Sequence, residues 1–168
     1  MIYIHNMNQA INFFWTILCF IPVVGFWMEN GGLFWCYIFI GVSIFSLLIP
    51  ARVLQLSNNP RFYESIGVKF VRKFVQNGEW INRYLRKRNP QHSLIKGRQN
   101  AAGYMHTVVM YERYHFLCFV FFVLTAVYAA MQYYYTYAVL ITLCNIIYNI
   151  CPILLQQYNR ARLSKLSR

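Results

Sequence analysis

Residues 114–158 read YHFLCFVFFVLTAVYAAMQYYYTYAVLITLCNIIYNICPILLQQY, without one Asp, Glu, Lys or Arg. As a single helix this run is about twice the length needed to cross an apolar core roughly 30 Å thick. It must fold back on itself. The turn falls at Gln132, Tyr133, Tyr134, Tyr135 and Thr136, where amphipathic tyrosine rings suit the headgroup level. Two further uncharged stretches precede it, and each is about one span long. The expected fold class is an all-α integral membrane protein, a single membrane domain over 1–168. It has four transmembrane helices at 10–28, 33–50, 114–132 and 136–156, a basic amphipathic cytoplasmic insert at 51–113 between the second and third, and a basic tail at 157–168.

Charge sets the orientation. Each of the 16 Lys and Arg residues lies between Ala51 and Arg113 or after Tyr158, and neither the turn around Glu29 nor the tyrosine turn carries any. The positive-inside bias therefore places the insert, the tail and the N-terminus in the cytoplasm. A composition that is 58% hydrophobic and 19% aromatic leaves no room for a soluble core beside four spans. The first run has no basic n-region and ends in Phe26, Trp27 and Met28, so it is expected to remain in the protein rather than be cleaved as a signal peptide. The net charge of +12 is interleaved with Phe, Val, Ile and Trp beside apolar spans, which points to membrane lipids with anionic headgroups and excludes nucleic acid as the partner. The five cysteines form no Cys-x-x-Cys pair and read as small buried hydrophobes.

The insert is too long for a simple connection and too rich in apolar residues for a disordered tether. Asn59 and Pro60 read as an N-cap and a first helical residue, with Arg61 and Glu64 spaced for an ion pair. Phe62, Ile66, Phe70 and Phe74 recur at near-helical spacing, the pattern of a helix lying in the interface. Gly67 is placed to break that helix and Asn77 with Gly78 to end it. Trp80, Ile81, Tyr84 and Leu85 then alternate with Arg83, Arg86, Lys87 and Arg88. That stretch fits adhesion to an anionic leaflet and a headgroup or coenzyme phosphate site equally. Residues 91–103, which include His92, show no period and read as a loop.

Glu112 and His115 are three apart, hence on one helical face. A carboxylate beside imidazole would orient the ring and raise its basicity for removing a proton from a hydroxyl. An interfacial ion pair of Glu112 with Arg113, beside a histidine bonded to a carbonyl, fits the same spacing. Glu-x-x-His is also half of a di-iron motif, but the other half is missing and the chain has no Asp, so no metal is expected. His106, nine residues before His115, would join the site only if the helix begins after it. Asn145 and Asn149 share a face, and Pro152 cannot donate to the carbonyl of Tyr148, which leaves a kink and a free acceptor. Helix packing and substrate binding both account for the two asparagines.

Three motifs in order resemble the glycosyl-4,4'-diaponeurosporenoate acyltransferase family. They are Arg61-Phe62-Tyr63-Glu64 with Gly67 and Val68, the Glu112 and His115 step, and the stretch from Asn149 through Pro152 to Gln157-Tyr158-Asn159-Arg160-Ala161-Arg162-Leu163. The chain differs from the family pattern in having His106-Thr107-Val108-Val109 before the Glu-x-x-His step and Phe116 after it. The resemblance implies a membrane O-acyltransferase of a bacterial cytoplasmic membrane that moves a fatty acyl group to a hydroxyl of a lipid-linked acceptor. Within that expectation His115 is the base and Glu112 its orienting partner. Arg61, Tyr63, Glu64, Asn149, Tyr158, Asn159, Arg160 and Arg162 are the candidate substrate-binding residues. No bound cofactor is expected, and the donor is acyl-CoA or another acyl carrier. The alternative is a non-catalytic membrane subunit or lipid-binding module whose basic insert docks on a membrane protein partner.

Overall fold

The computed structural model describes residues 2–30, 32–74 and 97–166. The basic stretch around Trp80 to Arg88, the stop at Asn77 and Gly78, and His92 all lie outside them. Helices joined by short turns make up the described residues, among which there is no strand.

Helix α1 spans Ile2–Glu29 and carries Pro22 inside it. Helix α2, Leu33–Phe45, tightens into a 3-10 turn at Ser46–Leu48 before Pro50 stops it. Its hydroxyls are satisfied locally, with Ser43 Oγ donating to the Phe39 carbonyl at 2.7 Å and Ser46 Oγ to the Ser43 carbonyl at 2.6 Å. Such back-bonding is how serine is tolerated in apolar surroundings. Gly32 sits where a Cβ would lie 3.1 Å from the Trp27 ring and 3.3 Å from the Tyr128 hydroxyl, so the turn into α2 needs a residue without a side chain.

The insert begins with α3, Ala51–Leu54, followed by α4, Pro60–Ser65, and α5, Val68–Phe74. Asn59 caps α4 by accepting from the Arg61 N–H at 3.2 Å, and Pro60 opens it, as their order predicts. Gly67, with φ of +87°, separates α4 from α5 in a conformation that side-chain-bearing residues rarely adopt.

Helix α6 runs unbroken over Gly97–Met131. It corrects two expectations, since 97–103 is helix rather than loop and the helix does not open at Tyr111. With the helix starting so early, His106 lies about half a turn round from His115 and does not join it. A Schellman turn ends α6: the Tyr134 N–H reaches the Ala129 carbonyl at 2.9 Å, the Tyr133 N–H reaches that of Ala130 at 3.1 Å, and Tyr133 takes φ of 66°. The last helix comprises α7, Tyr135–Asn145, a π-helical stretch at Ile146–Ile150, and α8, Cys151–Leu166. The expected tail is thus a continuation of helix rather than a separate segment.

Three helices are long and apolar enough to cross a membrane, Gln9–Glu29, Gly103–Met131 and Tyr135–Lys165, while Leu33–Leu48 is a shorter apolar helix. The expected fourth span at 33–50 is therefore not clearly one, because the 3-10 turn and Pro50 end the helix early. Helix α6 packs along α7, α8 and α2, and α1 lies against α7. Val23, Phe26 and Trp27 of α1 meet Phe122, Ala126 and Ala129 of α6 and Ile141 of α7 in one buried cluster, where the alanines permit close approach. A second cluster fastens the insert to the last helix, with Tyr63 and Val68 against Leu155, Tyr158 and Ala161.

Candidate active site

Polar side chains gather in two layers where α6 meets the last helix. The first centres on Glu112, which is fully buried. Its Oε2 lies 3.1 Å from Arg160 Nη1, and its Oε1 accepts from Arg160 Nη2 at 3.2 Å and from Gln157 Nε2 at 3.0 Å. Oε1 thus takes two hydrogen bonds and Oε2 only the close contact with Arg160, and these interactions offset part of the desolvation cost of the buried pair. Arg160 is further held by the Ala51 carbonyl at 2.8 Å and by Gln55 Oε1, to which its Nε donates at 2.5 Å. Arg113, by contrast, donates to the Leu47 carbonyl at the end of the 3-10 turn.

Gln157 links this layer to the insert. Its amide nitrogen also reaches the Leu54 carbonyl at 2.7 Å, and its Oε1 accepts from the Leu56 N–H and the Tyr63 hydroxyl, both at 3.2 Å. Tyr63, fully buried, shares its one hydroxyl proton between Gln157 Oε1 and the Ser57 carbonyl, the latter at 2.9 Å, and accepts from Gln55 Nε2 at 2.8 Å. Nearby, Tyr158 donates to Glu64 Oε1 at 3.0 Å, and Lys69 lies 2.8 Å from Glu64 Oε2. The Lys69 bond, then that from Tyr158, hold the Glu64 carboxyl below its usual range. Glu64 thus takes Lys69 rather than Arg61, which is exposed. Arg162 lies exposed over the Tyr158 ring at 5.6 Å, and Asn159 donates to Gln156 Oε1 at 3.4 Å.

The second layer centres on His115, and its partner is not Glu112. The spacing of the two residues is right, but Arg160 and Gln157 claim the carboxylate. Beside the imidazole lie the Asn149 side chain and the Tyr148 backbone carbonyl, the acceptor to which Pro152 cannot donate. The Tyr148 ring meets the His115 ring at 5.4 Å, near edge-on. Its hydroxyl is fixed by Thr16 Oγ1 at 2.9 Å and the Tyr114 hydroxyl at 3.2 Å. Next to His115, the orientations of two amides are set in series. The Phe119 carbonyl can only accept, so Asn145 turns its Nδ2 there at 3.2 Å and presents Oδ1 to Asn149 Nδ2 at 2.8 Å. Asn149 is left presenting Oδ1. That oxygen and His115 Nδ1 are both buried, and neither makes a hydrogen bond of good geometry, although the two side chains lie within reach of each other. Unsatisfied buried groups are uncommon in native structures and mark places where a ligand group completes the set.

The comparison with known families matches this region. The model of the glycosyl-4,4'-diaponeurosporenoate acyltransferase family matches residues 43–168. The chain belongs to this family. No curated protein and no solved structure matches it. The match covers both polar layers and leaves out α1, so Thr16 reaches the site from outside the family region. Of the residues singled out from sequence, the structure brings Glu112 and Arg160 into one layer, adjoined by Tyr63, and His115 and Asn149 into the other. Glu64 and Tyr158 join insert to last helix, Arg61 and Arg162 are exposed, and Asn159 turns toward its own helix. Sequence reasoning gave no role to Gln55, Gln157, Tyr114 or Thr16. Only Gln157 left a trace in the sequence, as a polar residue at the end of the long uncharged run.

Proposed function

We propose that this family member is an integral-membrane O-acyltransferase that moves a fatty acyl group from an acyl thioester, such as acyl-CoA, to a hydroxyl of a lipid-linked, glycosylated acceptor at the cytoplasmic face. The observation that carries the reading is the adjacent buried pair His115 Nδ1 and Asn149 Oδ1, which lie within reach of each other without a hydrogen bond of good geometry. With its N–H directed at the Tyr148 carbonyl, an assigned tautomer, the ring would hold its lone pair on the other nitrogen, as a general base requires. In the reaction His115 takes the hydroxyl proton as the oxygen bonds to the acyl carbon, and returns it to the departing thiolate, which leaves as a thiol. Asn149, with its nitrogen engaged and its oxygen free, suits a second hydroxyl on the acceptor. A sugar supplies such a neighbouring hydroxyl.

The roles of the other residues follow from their partners. Glu112 and Arg160 are positioning residues that join α6 to α8 one turn from His115. Arg160, enclosed by protein partners, is not assigned to a headgroup; Arg61 and Arg162 are exposed and suited to an anionic donor or lipid. The test compares lipid extracts from cells carrying the wild type and His115→Gln. We expect a species heavier by one fatty acyl group to disappear in the variant while the protein remains inserted. Undiminished product in the variant removes His115 as the base.

A further inference from the structure

We infer that Thr16 is a positioning residue for His115: through the Tyr148 hydroxyl, α1 holds the residue that meets the imidazole with both its carbonyl and its ring. This rests on the role proposed above for His115 and adds what keeps the imidazole in one orientation. The Tyr148 carbonyl lies beside the imidazole, and the Tyr148 ring approaches it at 5.4 Å and 72°. Because both belong to one residue, any drift of Tyr148 moves the acceptor and the ring together. Its backbone is weakly fixed from within, since Tyr148 lies in the π-helical stretch and Pro152 offers its carbonyl no donor. The side chain must then supply the anchor.

That anchor comes from two helices. The ring stands edge-on to Phe20 of α1 at 5.6 Å and stacks on Phe122 of α6 at 6.4 Å. Apolar contact is non-directional and lets a ring slide in its plane, whereas a hydrogen bond depends on distance and angle. The Tyr148 hydroxyl makes two such bonds, with Thr16 Oγ1 at 2.9 Å and with the Tyr114 hydroxyl at 3.2 Å. Tyr114 precedes His115 on α6 and moves with it, so it gives no outside reference. Thr16 does, because it stands on α1. It is also the only hydroxyl residue between Phe13 and Met28. A polar side chain in an apolar span is costly unless it is bonded, and this one is bonded to the tyrosine beside His115.

The test is nitrogen NMR on the full chain with isotope-labelled histidine, in phosphatidylglycerol nanodiscs, with the His115 signal assigned by its loss in His115→Gln. The wild type should show one neutral tautomer at His115. Thr16→Val, which keeps shape and removes the hydroxyl, should show two in exchange, and Thr16→Ser should restore one. Tyr148→Phe should reproduce the mixture by cutting the same bond from the other side, and adding Thr16→Val to it should change nothing further, as expected of two groups acting as a unit. Thr142→Val is the control, since that hydroxyl bonds only within its own helix, to the Ala138 carbonyl at 2.8 Å. With palmitoyl-CoA as donor and a cellular glycolipid extract as acceptor, Thr16→Val should lower kcat by about two- to tenfold, the worth of one hydrogen bond, and leave KM for the donor unchanged. A single tautomer in both Thr16→Val and Tyr148→Phe overturns the inference, and so does a mixture in Thr142→Val. If the tautomers mix as expected but the wild type transfers no acyl group, the positioning of His115 stands and the acyl-transfer reading fails.

Discussion

Removing the Glu112 side chain leaves the Arg160 guanidinium buried and without its counter-charge. Glu112→Ala is therefore expected to cost about 3–5 kcal/mol of stability, the usual penalty for breaking one partner out of a buried pair. Arg160→Lys keeps the charge but not the fork, and a point charge cannot serve Glu112, Gln55 and the Ala51 carbonyl together. About 1–3 kcal/mol should be lost. Thermal unfolding in detergent measures both. His115→Gln should behave in the opposite way, keeping the unfolding midpoint while lowering acyl transfer by about 100-fold or more, since it preserves hydrogen bonding and removes the base. A His115 variant that unfolds as readily as Glu112→Ala would reassign the histidine to structure. The reason that these two neighbours differ was not legible in the sequence. Spacing says which residues share a face, and it says nothing of a competitor 48 positions away that takes the carboxylate first.

At the scale of the element, the last helix departs from regular geometry where the site needs it. The π-helical stretch at Ile146–Ile150 stands directly before Pro152, and the carbonyl that proline leaves without a donor at i+4 is the one beside His115. Pro152→Ala supplies that donor. The expected result is a helix more stable by up to about 3 kcal/mol and an enzyme that transfers less, because the Tyr148 carbonyl turns back into its own helix. Circular dichroism melts and single-turnover assays on the same sample separate the two effects. Should stability and turnover rise together, the freed carbonyl does not orient the ring. This device was legible from sequence, because a proline four residues after any carbonyl has one geometric consequence. The cap at Asn59 and the break at Gly67 were legible for the same reason. The early start of α6 was not, since 97–103 carries no strong cap and no apolar period to mark a helix. The Arg61 pairing expected with Glu64 also failed, because Lys69, beyond the break at Gly67, reaches the carboxylate instead.

For the whole molecule, the expectation from the distribution of basic residues is one orientation, with the polar layers and the insert on the cytoplasmic side and the tyrosine turn outside. Lys165→Cys should resist a membrane-impermeant thiol reagent in intact cells and react after lysis, whereas Tyr133→Cys should react in intact cells. The reverse pattern inverts the topology and moves the site to the outer face. Apolar length made the three long helices readable, because crossing an apolar core needs about twenty such residues in a row. The pairing of the insert with the last helix was hidden, because Tyr63, Gln55 and Gln157 find one another only after the helices have come together.

The short second helix affects the lipid around it. From Leu33 to Leu48 it reaches about 25 Å, less than the hydrocarbon thickness of roughly 30 Å. If it crosses, the neighbouring leaflets must pinch inward, or its flanking polar groups must stretch outward, to cover the mismatch. Arg113, bonded to the Leu47 carbonyl at that helix end, sits where such a dimple would open, next to Glu112 and two residues before His115 on α6. A local thinning would bring a water-borne thioester to a histidine otherwise below the headgroups. Acyl transfer should then decline as nanodisc lipids are lengthened from fourteen-carbon to twenty-carbon chains, at constant headgroup charge, because a thicker bilayer resists the dimple.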